Sequence, residues 1–358
     1  MSKKSLSIFY IYYGPPFPFS VNGAAIFDLD LLSYLSTQNH TLHCITCIFD
    51  NSKEKAFNEL KKMQNKFNFT LDFNENQLTI TFNSITLHVY DNKEFFQACD
   101  TYVHTHSPSI IWHRYSDAWI KKADWSLFGS QTNIMFFTEH IASLNHAHLK
   151  PFNKLILNSQ YLKQTMFPKK RSSTAIIHPV PNTSCINTRF QPNPQFLLFV
   201  NPNRNKGSHI VFQLAQQNPH LQFMVVKGWW GYIDQPFDTL KNVLLVPSQE
   251  DVSEIYSYTK LLLFPSQATE SFGRLQIEAA YNNIPILGSR NGGIEEIFNG
   301  NGLLVDDITS IDEWQLKLDT LLEPACYEHC VSQCKMIQQQ YSLKVEANKF
   351  ETILQNVV

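Results

Sequence analysis

Six short apolar runs recur through the second half of the chain: QFLLFVN (195–201), LQFMVVKG (221–228), NVLLVP (242–247), KLLLFPS (260–266), IPILGS (284–289) and GLLV (302–305). Each is too short for a surface helix and too continuous for a strand with one wet face, so each reads as a strand buried on both sides. Segments of helical periodicity separate them, and strands alternating with helices give a parallel sheet covered on both faces. The first half opens in the same way. A buried strand over 5–13 leads through a Pro-rich loop to Gly23, then to a helical segment at 26–38 and a second strand at 40–49. Strand, glycine-bearing loop, helix, strand is the start of a Rossmann-like unit. At 358 residues the chain can bury two cores. The fold class is therefore α/β, with two Rossmann-like domains.

The segment 181–195, PNTSCINTRFQPNPQ, is rich in Pro, Asn and Ser and marks the break between them. Placing it near Gln191 gives a first domain over 1–190 and a second over 191–341. A net charge of −2 and 43% hydrophobic residues describe a soluble globular protein, without the basic excess of a nucleic-acid binder. The N-terminal MSKKSLSIFYIYYG has two lysines before an apolar run. Three tyrosines and a following PPFPF, with no small-residue cleavage site, make it a first strand rather than a signal peptide. No stretch is long enough to cross a bilayer, so the expected location is cytoplasmic.

Seven cysteines make no disulfide framework in a chain of this size. Cys44 and Cys47 lie in a strand, where residues three apart face opposite ways, which argues against a metal or redox pair. Cys326, Cys330 and Cys334 line one helix face and read as core. Asp28 and Asp30 offer a D-x-D pattern, but inside a helix their side chains diverge by about 200°. That rules out a shared cation.

Residues 51–67 carry Phe57, Leu60, Met63 and Phe67 on one stripe with lysines around it. A surface helix with a buried stripe is the preferred reading; peripheral contact with an anionic inner membrane surface is the alternative. Residues 69–91 alternate apolar and polar between Asn-rich turns and read as an antiparallel insertion or edge. The runs SIIWH and NIMFFTEH end in His113 and His140. Strand-end residues face the ligand crevice of an open α/β sheet, although a structural histidine is the commoner outcome.

The densest signal is Leu261 to Ala280, LLLFPSQATESFGRLQIEAA. Its apolar run ends at Pro265, and an apolar-periodic segment follows Gly273. Ser271 stands where a helix N-cap is wanted, and Gly273 lets a ligand approach the backbone. The N–H groups of Phe272, Gly273 and Arg274 would then form an anion site favoured by the helix dipole. Glu270 precedes this helix and Glu278 lies two turns into it. Carboxylates repel phosphate but accept hydrogen bonds from hydroxyls, so a phosphate cradle between two of them suggests a nucleotide sugar.

Glu270 through Glu278-Ala279 resembles the E-x7-E signature of the retaining GT-B glycosyltransferases, in family four of the sugar-transferase classification. Residues 284–307, IPILGSRNGGIEEIFNGNGLLVDD, are similar to the strand, Gly-Gly, short helix and strand that follow it in that family. KLILNSQYLKQTMF (154–167) and AIIHPVPNTS (175–184) resemble the approach to its second domain. The resemblance implies a GT-B fold, two Rossmann-like domains with parallel sheets facing across a cleft that closes on the donor. The N-terminal domain would take the acceptor and the C-terminal one the nucleotide sugar, with a final helix at 342–358 packing back on the N-terminal domain.

Lys206-Gly207 matches the family's diphosphate-gripping K-G, whereas Asn201-Pro202 stands where Gly-Arg is expected, leaving Arg204 to supply that charge. By the same resemblance, Glu270 binds hydroxyls of the sugar, Glu278 the ribose, and His140 the transferred sugar. Gly23 brings its loop near the diphosphate or the acceptor. The implied activity is retaining transfer of a hexose from a nucleotide diphosphate sugar, UDP preferred over GDP, to an acceptor hydroxyl. No metal or other cofactor is expected. The acceptor stays open among glycan, lipid-linked saccharide, protein and small molecule. A nucleotide-sugar epimerase of the same architecture and a non-catalytic sugar-nucleotide-binding protein are the alternatives.

Overall fold

The structure is a computed structural model that describes residues 4–19, 23–49, 52–74, 77–129, 131–137, 149–167, 173–181, 185–186, 194–228, 231–248, 252–300 and 302–358. The chain divides into two compact units. The first comprises Met1–Asn158, Lys163–Pro179 and Lys344–Val358; the second comprises Ser159–Leu162 and Val180–Leu343.

In chain order the first half holds β1 (Ser7–Tyr12), α1 (Gly23–Ser36), β2 (Thr41–Ile48), α2 (Lys53–Phe67), β3 (Thr70–Asn74), β4 (Gln77–Phe82), β5 (Ile85–Asp91), α3 (Phe95–His106), β6 (Ile110–Arg114), α4 (Asp117–Lys122), β7 (Thr132–Phe137), β8 (Lys154–Leu157), α5 (Gln160–Met166) and β9 (Thr174–Ile176). Its nine strands run β3-β4-β5-β2-β1-β6-β7-β8-β9. Among the described strands only β4 runs against the rest, pairing antiparallel with β3 and β5 at one edge. The expected antiparallel insertion is therefore present but shorter than 69–91. β5 pairs parallel with β2, Cys44 opposite Leu87, and takes the third place of a Rossmann order.

α1 packs a buried carboxylate against this sheet. Asp28, 2% exposed, accepts from Arg114 Nη1 at 2.9 Å and from the Tyr10 hydroxyl at 2.8 Å. The rejected D-x-D thus has a structural use for its first aspartate. Ala56 and Leu60 of α2 are fully buried, and the rings of Phe57 and Phe67 lie 5.5 and 5.0 Å from those of Phe73 and Phe17, tilted and edge-on. The apolar stripe of that helix thus packs partly inside the unit, with Leu60 buried and Phe57, Met63 and Phe67 half-buried. No helix among the described residues is long and apolar enough to cross a bilayer. The helix α12 (Leu343–Val357) supplies Phe350, whose ring lies 4.9 Å from that of Trp112 in β6, and Glu346, which accepts from the His178 backbone N–H at 2.9 Å.

The second half holds β10 (Phe196–Val200), α6 (Ser208–Gln217), β11 (Gln222–Val226), β12 (Val243–Val246), α7 (Val252–Ser257), β13 (Thr259–Phe264), α8 (Arg274–Tyr281), β14 (Ile286–Ser289), α9 (Ile294–Phe298), β15 (Leu304–Val305), α10 (Ile311–Leu322) and α11 (Pro324–Gln340). Its six strands, all parallel, run β12-β11-β10-β13-β14-β15. All six apolar runs in the sequence became these strands. Leu197, Phe199, Phe223, Val225, Leu261 and Leu263 share one core with Leu214 of α6 and Trp314 of α10. Local signals fix the helices over that core. Ser310 caps α10 by accepting from Glu313 N–H, while the Glu313 carboxylate reaches back to the N–H groups of Asp306 and Asp307. Pro324 opens α11, where a missing N–H costs nothing.

Candidate functional site

β10 and β13 are neighbours at the one place where the strand order of the second unit reverses. Loops leaving the carboxyl ends of such a pair frame the ligand crevice of an open α/β sheet. The loop after β10 carries Asn201 to Gly207, and the loop after β13 carries Pro265 to Gly273.

Main-chain contacts weld these loops together. The N–H groups of Gln267 and Ala268 both donate to the Asn205 carbonyl, at 2.8 and 3.0 Å. Gly207 adopts φ +82°, and a Cβ there would stand 2.0 Å from the Pro265 carbonyl oxygen. Only glycine fits both the left-handed backbone and that approach. Asn203 caps the short turn Arg204–Lys206 by accepting from Lys206 N–H at 3.1 Å. The lysine is thereby aimed from a fixed turn.

Its ammonium donates to Oε1 of Glu270, 64 residues further along. The hydroxyl of Ser266, 1% exposed, donates to the same oxygen at 2.7 Å. Oε1 is thus anchored twice, while among the described residues no donor reaches Oε2. Behind the carboxylate, Gly293 N–H donates to the Glu270 carbonyl at 2.7 Å, and Glu270 bridges to Gly292 in parallel register. A Cβ on Gly293 would lie 2.3 Å from the Ser271 carbonyl oxygen. Ser289 Oγ and Asn291 Nδ2 add bonds to the Ser266 and Gln267 carbonyls. The Gly292-Gly293 pair therefore exists to let this strand pass close to the glutamate loop.

The helix that follows departs from the sequence expectation. α8 begins at Arg274, and its N-cap is Gly273 at φ +107° with no side-chain cap bond. Ser271 is not the N-cap. Its carbonyl is packed under Gly293, and the left-handed turn at Gly273 delays the helix by two residues. Phe272 is 1% exposed, its ring 5.6 Å from that of Tyr341. That side chain anchors the loop in the core, and the helical first turn starts at Arg274.

Glu278, two turns along, is held from two sides. Its Oε2 accepts from the Tyr256 hydroxyl at 2.7 Å, and its Oε1 lies 3.1 Å from Arg274 Nε. Arg204 is exposed and has no ion pair among the described residues, so Lys206 alone of the two cations meets Glu270. Gly23 opens α1 in the other unit. His140 lies outside the described residues. His113 is fully buried, its Nε2 2.9 Å from Asn133 Oδ1 and its Nδ1 accepting from Trp119 Nε1 at 3.2 Å. It is a satisfied core histidine.

Sequence reasoning missed Ser266 and Tyr256. Ser266 directly follows the proline that ends a buried strand, a position the crevice rule marks. Tyr256 sits in a short helix 22 residues before its partner, and no spacing in the sequence announces it.

Residues 188–337 match the family described as glycosyl transferases group 1. Among solved structures, the chain is similar to Alr3699/HepE of Anabaena in complex with UDP, at 16% identity and TM-score 0.73, with 98% of this chain and 100% of that one covered. It is similar to a glycosyltransferase from Rickettsia africae at 14% identity and TM-score 0.72, covering 99% and 98%. The sucrose-phosphate synthase of Thermosynechococcus elongatus gives 14% identity and TM-score 0.69, covering 98% of each. No curated protein matches by sequence. At such identities the structural likeness speaks for the fold, which is GT-B.

Proposed function

From the GT-B fold and the match of residues 188–337 to the glycosyl transferases group 1 family, we propose that the chain is a glycosyltransferase that moves a hexose from a nucleotide diphosphate sugar, UDP preferred over GDP, to an acceptor hydroxyl with retention of anomeric configuration. The observation that carries this reading is the meeting of Lys206 and Glu270 on one carboxylate oxygen at the β10/β13 switch point.

A carboxylate beside a diphosphate would ordinarily be repelled. With the Lys206 ammonium between them, the same cation serves both groups. The Oε2 of Glu270 is then the acceptor for sugar hydroxyls, a role suited to a neutral polyol. Departure of the sugar builds negative charge on the diphosphate. A preorganised lysine that gains strength as that charge develops lowers the barrier. Arg204, exposed at the start of the same short turn as Lys206, adds a second cation when the phosphates are bound. Since these residues would do the work of charge neutralisation, a metal chelator is expected to leave the rate unchanged. Glu278 takes the ribose and His140 the transferred sugar, as the family resemblance implies.

The UDP preference draws on the Anabaena protein, solved with UDP and with UDP-glucose. The test is incubation with a panel of nucleotide sugars and candidate acceptors, with products read by NMR. Transfer with the donor's anomeric configuration is expected from wild type and lost in Glu270→Ala. An inverted product overturns the retaining reading. A new sugar nucleotide formed without any acceptor replaces it with an epimerase.

A further inference from the structure

Glu278 is the one carboxylate of the signature whose two oxygens meet two different groups of the protein. α7 puts the Tyr256 hydroxyl 2.7 Å from Oε2, and α8 puts Arg274 Nε 3.1 Å from Oε1. The phenol is 4% exposed, so it has no water to compete with its single acceptor. The carboxylate is 15% exposed and keeps one edge open to solvent. An ionised carboxylate has about four lone-pair positions. The Tyr256 hydroxyl occupies one of them and Arg274 lies beside Oε1 as an ion contact, so further positions on the exposed edge remain for a ligand.

We propose that Tyr256 is the positioning residue of ribose recognition, orienting Glu278 so that its outward lone pairs accept the hydroxyls of the nucleotide's ribose and discriminate ribo- from 2′-deoxyribonucleotides. This rests on the reading of Glu278 as the ribose acceptor and adds to it the group that makes that acceptor selective. A free glutamate, its carboxylate oxygens three torsions from the backbone, would follow either hydroxyl; one pinned through Oε2 cannot. Burial, followed by the Glu278 charge, pushes the Tyr256 phenol well above its ordinary range, which keeps the proton on the phenol as a donor.

The test is binding of UDP and 2′-deoxy-UDP, with GDP and 2′-deoxy-GDP in parallel, to wild type, Tyr256→Phe and Glu278→Ala. Wild type is expected to prefer the ribonucleotide by roughly tenfold or more, the range of a hydrogen bond to a charged group. Tyr256→Phe keeps the ring and loses only the donor. Its preference is expected to fall to about threefold or less while its affinity for the deoxy form stays near that of wild type, a pattern that a general loss of packing does not produce. If Tyr256→Phe does not fold, Tyr256→Met, which fills the site without a donor, takes the same measurement. Retained ribo preference in the folded variant overturns the proposal, provided Glu278→Ala has lost it. No preference in wild type, or in neither variant a change, overturns the ribose reading of Glu278 itself. Failure of all four nucleotides to bind rejects the nucleotide-sugar function.

Discussion

The hydroxyl of Ser266 stands 2.7 Å from Oε1 of Glu270, the oxygen that also receives the Lys206 ammonium. Two donors from two loops on one oxygen set the carboxylate's rotation and turn Oε2 outward. Ser266→Ala removes the neutral donor and leaves the charged one. A hydrogen bond to a charged group is worth about 1.5–3 kcal/mol, so kcat/KM is expected to fall roughly tenfold or more, and the melting temperature to fall with it because the bond is already made in the free protein. Steady-state kinetics on the variant, beside a melting curve, decides it. An unaltered kcat/KM would show that Lys206 alone holds Glu270.

Lys206 faces two anions in the proposed complex, so its loss acts twice. Lys206→Met is expected to lower kcat by about two orders of magnitude or more, the scale seen when a preorganised charge-stabilising donor is removed. It also weakens nucleotide binding. Glu270→Gln retains the shape but breaks the ion pair, and the double variant is expected to be less impaired than the sum of the two, because each single change already destroys the contact. Additive losses in the double-mutant cycle would mean the two residues act independently.

Gly207 tests the backbone. At φ +82° with the Pro265 carbonyl 2.0 Å from its absent Cβ, it holds the lysine turn against the glutamate loop. Gly207→Ala adds left-handed strain of about 1–2 kcal/mol and a clash with main chain that has no soft side chain to yield. A clear drop in melting temperature and a loss of activity beyond that of Ser266→Ala are expected. Gly231→Ala, also at positive φ but with no atom within 4 Å, isolates the strain from the clash. Equal losses in both would exclude the contact as the cause.

The parts of this protein legible in its sequence are those written in short range. Apolar runs such as KLLLFPS announce strands because burial on both faces leaves no polar position, and they placed the whole second sheet. The glutamate loop was legible because Glu270, Gly273 and Glu278 share one segment. The helix start was misjudged by two residues. Ser271 satisfies every local rule for an N-cap, but its carbonyl is packed against Gly293 of the loop before α9, and tertiary contact overrides capping preference. β5 was read as part of an antiparallel insertion because alternation shows which face is buried and not which strand lies alongside. Ser266 and Tyr256 act through partners brought close only by the fold.

Asp28 and Arg114 form an ion pair inside the first unit, with exposures of 2% and 3%. Burial pushes the Asp28 carboxyl up, and the Arg114 charge and Tyr10 hydroxyl oppose it. Removing one member strands the other. Asp28→Ala is expected to cost about 3–5 kcal/mol, while the double change Asp28→Leu with Arg114→Met costs far less. Urea unfolding of the three proteins compares them. A single variant as stable as wild type would show that water reaches the pair.

Acid should loosen the first unit through His113. Burial holds this imidazole down to about 4, with the Asn133 hydrogen bond opposing the shift. Unfolded, the same group titrates near 6.5. A depressed histidine favours the neutral form in the native state, so between these values the unfolded chain binds more protons. Stability is then full above about 6.5 and declines as pH falls toward 4, by up to roughly 3 kcal/mol from this residue. His43, held at about 4 by burial and then by His88 and His106, adds to the same window from a partly exposed site. The check is urea unfolding followed by tryptophan fluorescence, since Trp119 and Trp125 ring His113 at 5.8 and 5.6 Å. His113→Gln keeps a donor and an acceptor without a proton to gain, and its stability is expected to vary less between pH 6.5 and 4 than that of wild type. A parallel decline in both proteins would place the acid sensitivity elsewhere.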